Sequence, residues 1–135
     1  MKTTTWAPAS TTVEGCPPGW SLYDSSCYRF YSSKISWTQA QAECQKENSN
    51  LASVPNVGLK TFIGGLQKGN LAWIGGSRPA GSDPYVGWEW LGNYAWSYAN
   101  WNTGEPSNAN ELCLVQYGTA SDNRWNDNSC DTLDF

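Results

Sequence analysis

Asn100-Trp101-Asn102-Thr103-Gly104-Glu105-Pro106-Ser107-Asn108-Ala109-Asn110-Glu111-Leu112-Cys113 shows neither helical period nor strand alternation until its last residues. The aperiodic stretch begins at residue 92 and is dominated by Asn, Gly, Ser, Pro and aromatics. A loop this long without secondary structure of its own points to a function. Its polar side chains offer oxygen: Glu105, Ser107 and Glu111, joined further on by Asn126 and Asp127. The charge distribution agrees. Residues 1–68 carry six basic and four acidic side chains, net +2, whereas residues 69–135 carry two basic and eight acidic, net −6. An acidic, Asn-rich half suits a hard cation held by oxygen. It argues against nucleic acid and anionic membrane surfaces, which require a basic face.

The full chain, 135 residues with a net charge of −4, has the length of one domain. It contains no histidine, which removes Ser/His/Asp triads, Cys/His dyads and imidazole-bound zinc from consideration. Five cysteines in so short a chain indicate an oxidising, extracellular compartment. No apolar run is long enough for a secretory signal or a membrane span. Residues 1–15, MKTTTWAPASTTVEG, are rich in Thr and Ser and lack an apolar period, so a flexible leader or stalk is expected there. No Asn-x-Ser/Thr sequon occurs, and N-glycosylation is not expected.

Working outward from the loop, residues 112–117 form an apolar strand, and residues 71–76 and 88–91 read as two more. Near the start, Cys16 and Cys27 are spaced to staple a small hairpin, and residues 26–31 have the aromatic content of a strand. Ser36 with Gln39 fits a capping box, followed by Trp37, Ala40 and Cys44 on one helical face. That helix should end near Asn48-Ser49-Asn50. A second helix is expected from Asn56, with Leu59, Phe62, Ile63 and Leu66 as its buried face and Gly69 as its stop. Trp88, Trp90, Trp96, Trp101, Trp125 and Tyr94 read as packing residues rather than a ligand platform. The acidic tail, residues 131–134, reads as solvated surface. Helices followed by short strands and a long loop make an α+β layout.

These features, in this order, resemble the C-type lectin-like domain family over residues 16–135. The resemblance rests on the Cys16/Cys27 hairpin, the Trp37…Ala40…Cys44 helix, Trp73-Ile74-Gly75, Asn100-Trp101, Gly104-Glu105-Pro106, Glu111-x-Cys113 and Trp125-Asn126-Asp127 ahead of Cys130. It implies an α+β fold of two helices and short antiparallel strands in two small sheets, with a long calcium-binding loop and disulfide staples. Five cysteines leave many pairings open by count alone; the resemblance implies Cys16–Cys27 and Cys113–Cys130. In the family the helix cysteine bonds to a last cysteine beyond a final apolar strand. The chain reaches residue 135 where that strand would begin, so the final strand is expected to be cut short and Cys44 to lack its family partner.

The resemblance also implies the site. Glu105, Glu111, Asn126 and Asp127 match the family's principal calcium ligands, and Pro106 its motif proline, usually cis. Ser107 departs from the family's Asn or Asp; a hydroxyl lacks the amide's separate carbonyl and NH2 groups, which implies weaker binding there. An auxiliary calcium site is not expected, because Asn108 and Leu112 stand where the family has acids, although Asp83 offers a carboxylate in the preceding loop. Alone, Asn126 and Asp127 would read as turn residues; in register with Glu105, Pro106 and Glu111 they read as ligands. The function implied is a calcium-dependent lectin domain in which Glu105, Ser107, Glu111, Asn126 and Asp127 hold both calcium and adjacent sugar hydroxyls. Retention of Glu105 resembles the mannose, fucose or N-acetylglucosamine type. The expected partner is a cell-surface or microbial glycan, with a homo-oligomer supplying avidity; nucleic acid and membrane insertion are not expected. The alternative is a calcium-independent protein-recognition domain on the same scaffold. Catalysis is not expected, since Cys44 has no activating histidine and Glu105 with Glu111 would form a glycosidase pair only by coincidence.

Overall fold

The computed structural model describes residues 2–5, 15–118 and 122–133. Its elements run β1 (Lys2–Thr5), β2 (Ser21–Tyr23), β3 (Ser26–Arg29), α1 (Trp37–Lys46), β4 (Asn50–Leu51), α2 (Val57–Gln67), β5 (Ala72–Ser77), β6 (Glu89–Trp90), β7 (Cys113–Gln116) and β8 (Trp125–Asn128). Among the described residues they make two four-stranded antiparallel sheets, ordered β2-β3-β1-β4 and β6-β5-β7-β8. The expected α+β architecture is present.

Both helices begin where a side chain can satisfy their first amides. The Ser36 hydroxyl accepts from the Gln39 amide at 3.2 Å, and the Ser36 amide donates to Gln39 Oε1 at 3.1 Å, closing the capping box. The Asn56 side chain accepts from the Leu59 amide at 2.9 Å. α1 buries Cys44 and packs Trp37 and Ala40 against Leu51, Trp73, Cys113 and Val115. α2 places Leu59 and Ile63, flanked by Phe62 and Leu66, in the larger core with Ile74, Leu114 and Trp125. It stops through two left-handed residues, Lys68 at φ 50° and Gly69 at φ 86°, so the cap itself falls one residue before the glycine.

Two regions differ from expectation. The leader expected over residues 1–15 is not structureless at Lys2–Thr5, which pair with β3 on one side and β4 on the other; residues 1 and 6–14 lie outside the described residues. Three consecutive threonines favour extended backbone, and β3 and β4 both present open edges for pairing. Residues 125–128, left without an element by the sequence reading, form strand β8 in register with β7. Their polar side chains hide the alternation, which is visible only in burial: Trp125 and Asp127 inward, Asn126 and Asn128 half-buried.

Cys16–Cys27 and Cys113–Cys130 are bonded, and Cys44 is buried outside both bridges. The second bridge ties the start of β7 to the segment leaving β8. Trp125 centres the larger core, with the rings of Trp90, Tyr98, Trp96 and Trp101 between 5.4 and 6.2 Å away. Its indole N–H donates to Gln116 Oε1 at 3.0 Å, and Gln116 Nε2 donates to Gln67 Oε1 and the Lys60 carbonyl. This satisfied network holds β8 at a fixed depth, as buried polar groups require. The tryptophans pack as expected; Tyr94 does not, being 51% exposed.

Candidate functional site

The long loop is hung from β8 before it reaches the acidic residues. The Trp125 amide donates to the Asn100 carbonyl, and the Asn102 amide donates to the Trp125 carbonyl, each at 2.8 Å. Asn100 Nδ2 anchors the approach by donating to the carbonyls of Asp122 and Asn123. A turn follows, closed by the Glu105 amide on the Asn102 carbonyl at 3.0 Å, and the Glu105–Pro106 peptide is cis. The chain is thereby delivered to Asp127, which is fully buried. Its carboxylate accepts from the Ser107 amide at 3.2 Å on both oxygens and from the Asn108 amide at 3.3 Å.

Five residues were expected to act together, and their placement is uneven. Glu105, Ser107 and Asp127 meet: the Ser107 hydroxyl donates to Glu105 Oε2 at 2.8 Å, and the Glu105 carboxyl stands close enough to Asp127 to interact with it. Glu111 stands close enough to feel the charge of Asp127, but no hydrogen bond among the described residues holds its carboxylate. Asn126 is half-buried on the alternate side of β8 and makes no side-chain hydrogen bond to the other four. Ser107 therefore fills its place in the motif as a donor to Glu105, one bond shorter than an amide and with no second polar group to offer.

The electrostatics are those of crowded acids. Burial is the main reason that the Glu105 carboxyl is pushed up to about 7; the interaction with Asp127 and the charges of Asp127 and Glu111 add to it, and the Ser107 hydroxyl opposes it. The Glu111 carboxyl is raised as well, by burial and by Asp127. Among the described residues no Lys or Arg ion-pairs with any of the three; the ion pairs lie elsewhere, at Lys46–Glu43, Lys60–Asp122 and Arg124–Asp122. A set of carboxylate, hydroxyl and amide oxygens with uncompensated negative charge fits a hard cation in kind. It is not a ready-made cage, since no three acidic, His or Cys side chains are gathered for a metal among the described residues. Asp83, the other candidate carboxylate, instead caps its own turn by accepting from the Tyr85 amide at 2.8 Å.

Arg78 is the residue that sequence reading passed over. It is 3% exposed and holds the loop from beneath. The available signal was its rarity, for it and Arg124 are the only basic residues after position 68.

Residues 33–134 match the Lectin C-type domain, and the chain belongs to that family. It is 35% identical over 123 residues to lithostathine of Rattus norvegicus, covering 86% of this chain and 73% of that protein. Among solved structures it resembles a calcium-independent type II antifreeze protein, with a TM-score of 0.75 and 27% identity over 87% of each chain. It equally resembles the carbohydrate-recognition domain of cow CD23, solved in the presence of a GlcNAc2Man3 oligosaccharide, with a TM-score of 0.75 and 27% identity over 87% of this chain and 88% of that one. Some relatives are much longer: the chain spans 42% of human C-type lectin domain family 4 member G. The family is one of non-enzymatic binding domains, and this chain is a binding module, not an enzyme. No helix among the described residues is long and apolar enough to cross a membrane.

Proposed function

We propose that this domain is an extracellular lectin that binds glycans through one calcium ion, at Glu105, Ser107, Glu111, Asn126 and Asp127. The carrying observation is the packing of Glu105 and Ser107 onto buried Asp127, with neighbouring carboxyls held above their ordinary range and no Lys or Arg ion-paired with them among the described residues. When bound, calcium would supply a Lewis-acidic centre whose shell two adjacent sugar hydroxyls can complete. The protein's part is to order the donors. Asp127 fixes the 107–108 backbone, Ser107 orients the Glu105 carboxylate, and Glu105, Glu111 and Asn126 offer acceptors and an amide donor to the hydroxyls. Adjacent hydroxyls of mannose, fucose or N-acetylglucosamine ends are the proposed ligands, presented on cell-surface or microbial glycans. Avidity from several copies would compensate for a weak single site.

The second reading is calcium-independent recognition of a protein or other surface by the same loop. Its support is specific: both Asp127 oxygens already accept backbone amides, so this part of the loop is closed by the protein's own donors. A calcium titration followed by tryptophan fluorescence separates the two, because Trp125 stands two residues before Asp127 on β8 and bridges to Trp101, four residues before Glu105 in the loop. A saturable change, reversed by chelator and modified by mannose or fucose but not galactose, is expected. No response to calcium would overturn the lectin reading and direct the search to protein ligands.

A further inference from the structure

We propose that Arg78 is a positioning residue for the ligand loop, an internal cationic clamp that sets where Glu111 stands. This rests on the reading of Glu111 as a ligand residue given above. Arg78 follows β5 directly, and its own amide donates to the Leu112 carbonyl at 3.0 Å. Its side chain then turns under the loop. Nη2 donates to the carbonyls of Asn108 and Ala109, both at 2.9 Å, while Nη1 donates to the Ser82 carbonyl at 2.9 Å and reaches the Ser82 hydroxyl at 3.4 Å. One residue thus grips both ends of the 108–112 turn and ties it to the 79–82 turn.

The chemistry of this arrangement is unusual for a buried cation. Among the described residues no carboxylate ion-pairs with Arg78, and its Nε–H is buried without an acceptor. Burying a guanidinium without a counter-ion is unfavourable unless its N–H groups find oxygens; here carbonyl dipoles and a hydroxyl supply them. The guanidinium carbon also lies 5.6 Å from the ring centroid of Trp88, a favourable placement for a cation over an aromatic face. Trp88 is itself fixed through its indole N–H on the Pro84 carbonyl at 2.8 Å. Only a planar fork can reach two chain segments in this way. The single ammonium of lysine cannot span them.

The consequence falls on Glu111. Its carboxylate has no hydrogen bond of its own among the described residues, so its position is inherited from the backbone of the turn. That backbone is held on one side by Asp127, through Ser107 and Asn108, and on the other by Arg78. The Asn108 carbonyl is the shared point, accepting from Arg78 and, at 3.2 Å, from the Glu111 amide.

The test uses the whole chain and two variants, Arg78→Met and Arg78→Lys. Amide hydrogen exchange is read by mass spectrometry without calcium, and calcium affinity by tryptophan fluorescence. In Arg78→Met, exchange is expected to quicken in peptides covering 79–87 and 105–112 while β7 and β8 stay protected. Calcium affinity is expected to fall by roughly 10–100-fold, as when support behind metal ligands is removed. Arg78→Lys keeps a buried positive charge, guarding against a methionine variant that does not fold, and is expected to show the same local loosening. Wild-type exchange and affinity in either folded variant would overturn the clamp. So would loosening spread evenly over the chain, or local loosening with calcium affinity unchanged. If the wild-type protein binds no calcium, the lectin reading fails by itself, and the exchange measurement still decides whether Arg78 orders the turn.

Discussion

Glu105 and Glu111 hold their protons to higher pH than ordinary carboxyls, and this has a definite sign. A raised folded-state pKa means that the native state binds more protons than the unfolded chain between the two values, so stability falls as pH rises through that window. Without calcium, the melting temperature should drop between about pH 4.5 and about pH 7, the range spanned by the ordinary and shifted values of Glu105. Glu105→Gln, which cannot ionise, should flatten most of that slope in a calorimetric pH series. Asp127 carries a different load. Asp127→Ala leaves the Ser107 and Asn108 amides without their acceptor and should cost roughly 1–3 kcal/mol in urea unfolding, along with any calcium response. At this scale the sequence showed which residues carry oxygen, and their spacing and resemblance singled out Glu105, Ser107, Glu111, Asn126 and Asp127. It did not show that Asn126 would alternate away from Asp127, because a strand of polar residues, Trp125-Asn126-Asp127-Asn128, conceals its own period.

At the scale of elements, local rules carried furthest where a helix begins. Ser36 with Gln39 and Asn56 with Leu59 are four-residue signals, complete within the stretch that they control. Ser36→Ala should cost about 1 kcal/mol, read as a lowered melting temperature by circular dichroism. Close packing between strands was not legible in the same way. Gly75 sits in β5 with its amide donating to the Ala52 carbonyl at 2.7 Å, and a Cβ placed on it would lie 2.6 Å from the Leu51 carbonyl oxygen. Backbone cannot yield as a flexible side chain can. Gly75→Ala should therefore cost at least as much as a typical overpacked core, about 1–3 kcal/mol, by chemical denaturation. Lys2–Thr5 show the converse: their threonines suit a strand, but only the neighbouring edges of β3 and β4 turn that tendency into one.

Over the whole molecule, the two bridges and the tryptophan core keep the loop's supports in register. Cys113–Cys130 closes a separation of 17 residues around β7 and β8, the two strands on which Asp127 depends. Replacing both cysteines by serine should cost roughly 2–5 kcal/mol, as for other native bridges of small secreted domains, and should weaken ligand binding together with stability. What the sequence determined by itself was everything encoded over a few residues or in composition: the two capped helices, the separation of charge between the halves, the exclusion of histidine chemistry, and an ordered set of motifs specific enough to indicate the family. The tertiary structure alone decided which of those residues meet. Glu105 reaches Asp127, and Arg78 reaches Asn108 and Ala109, across 20 to 30 intervening positions of chain. Such meetings depend on strand register, loop closure and the depth at which Trp125 is buried, and none of these leaves a periodic trace in the order of the amino acids.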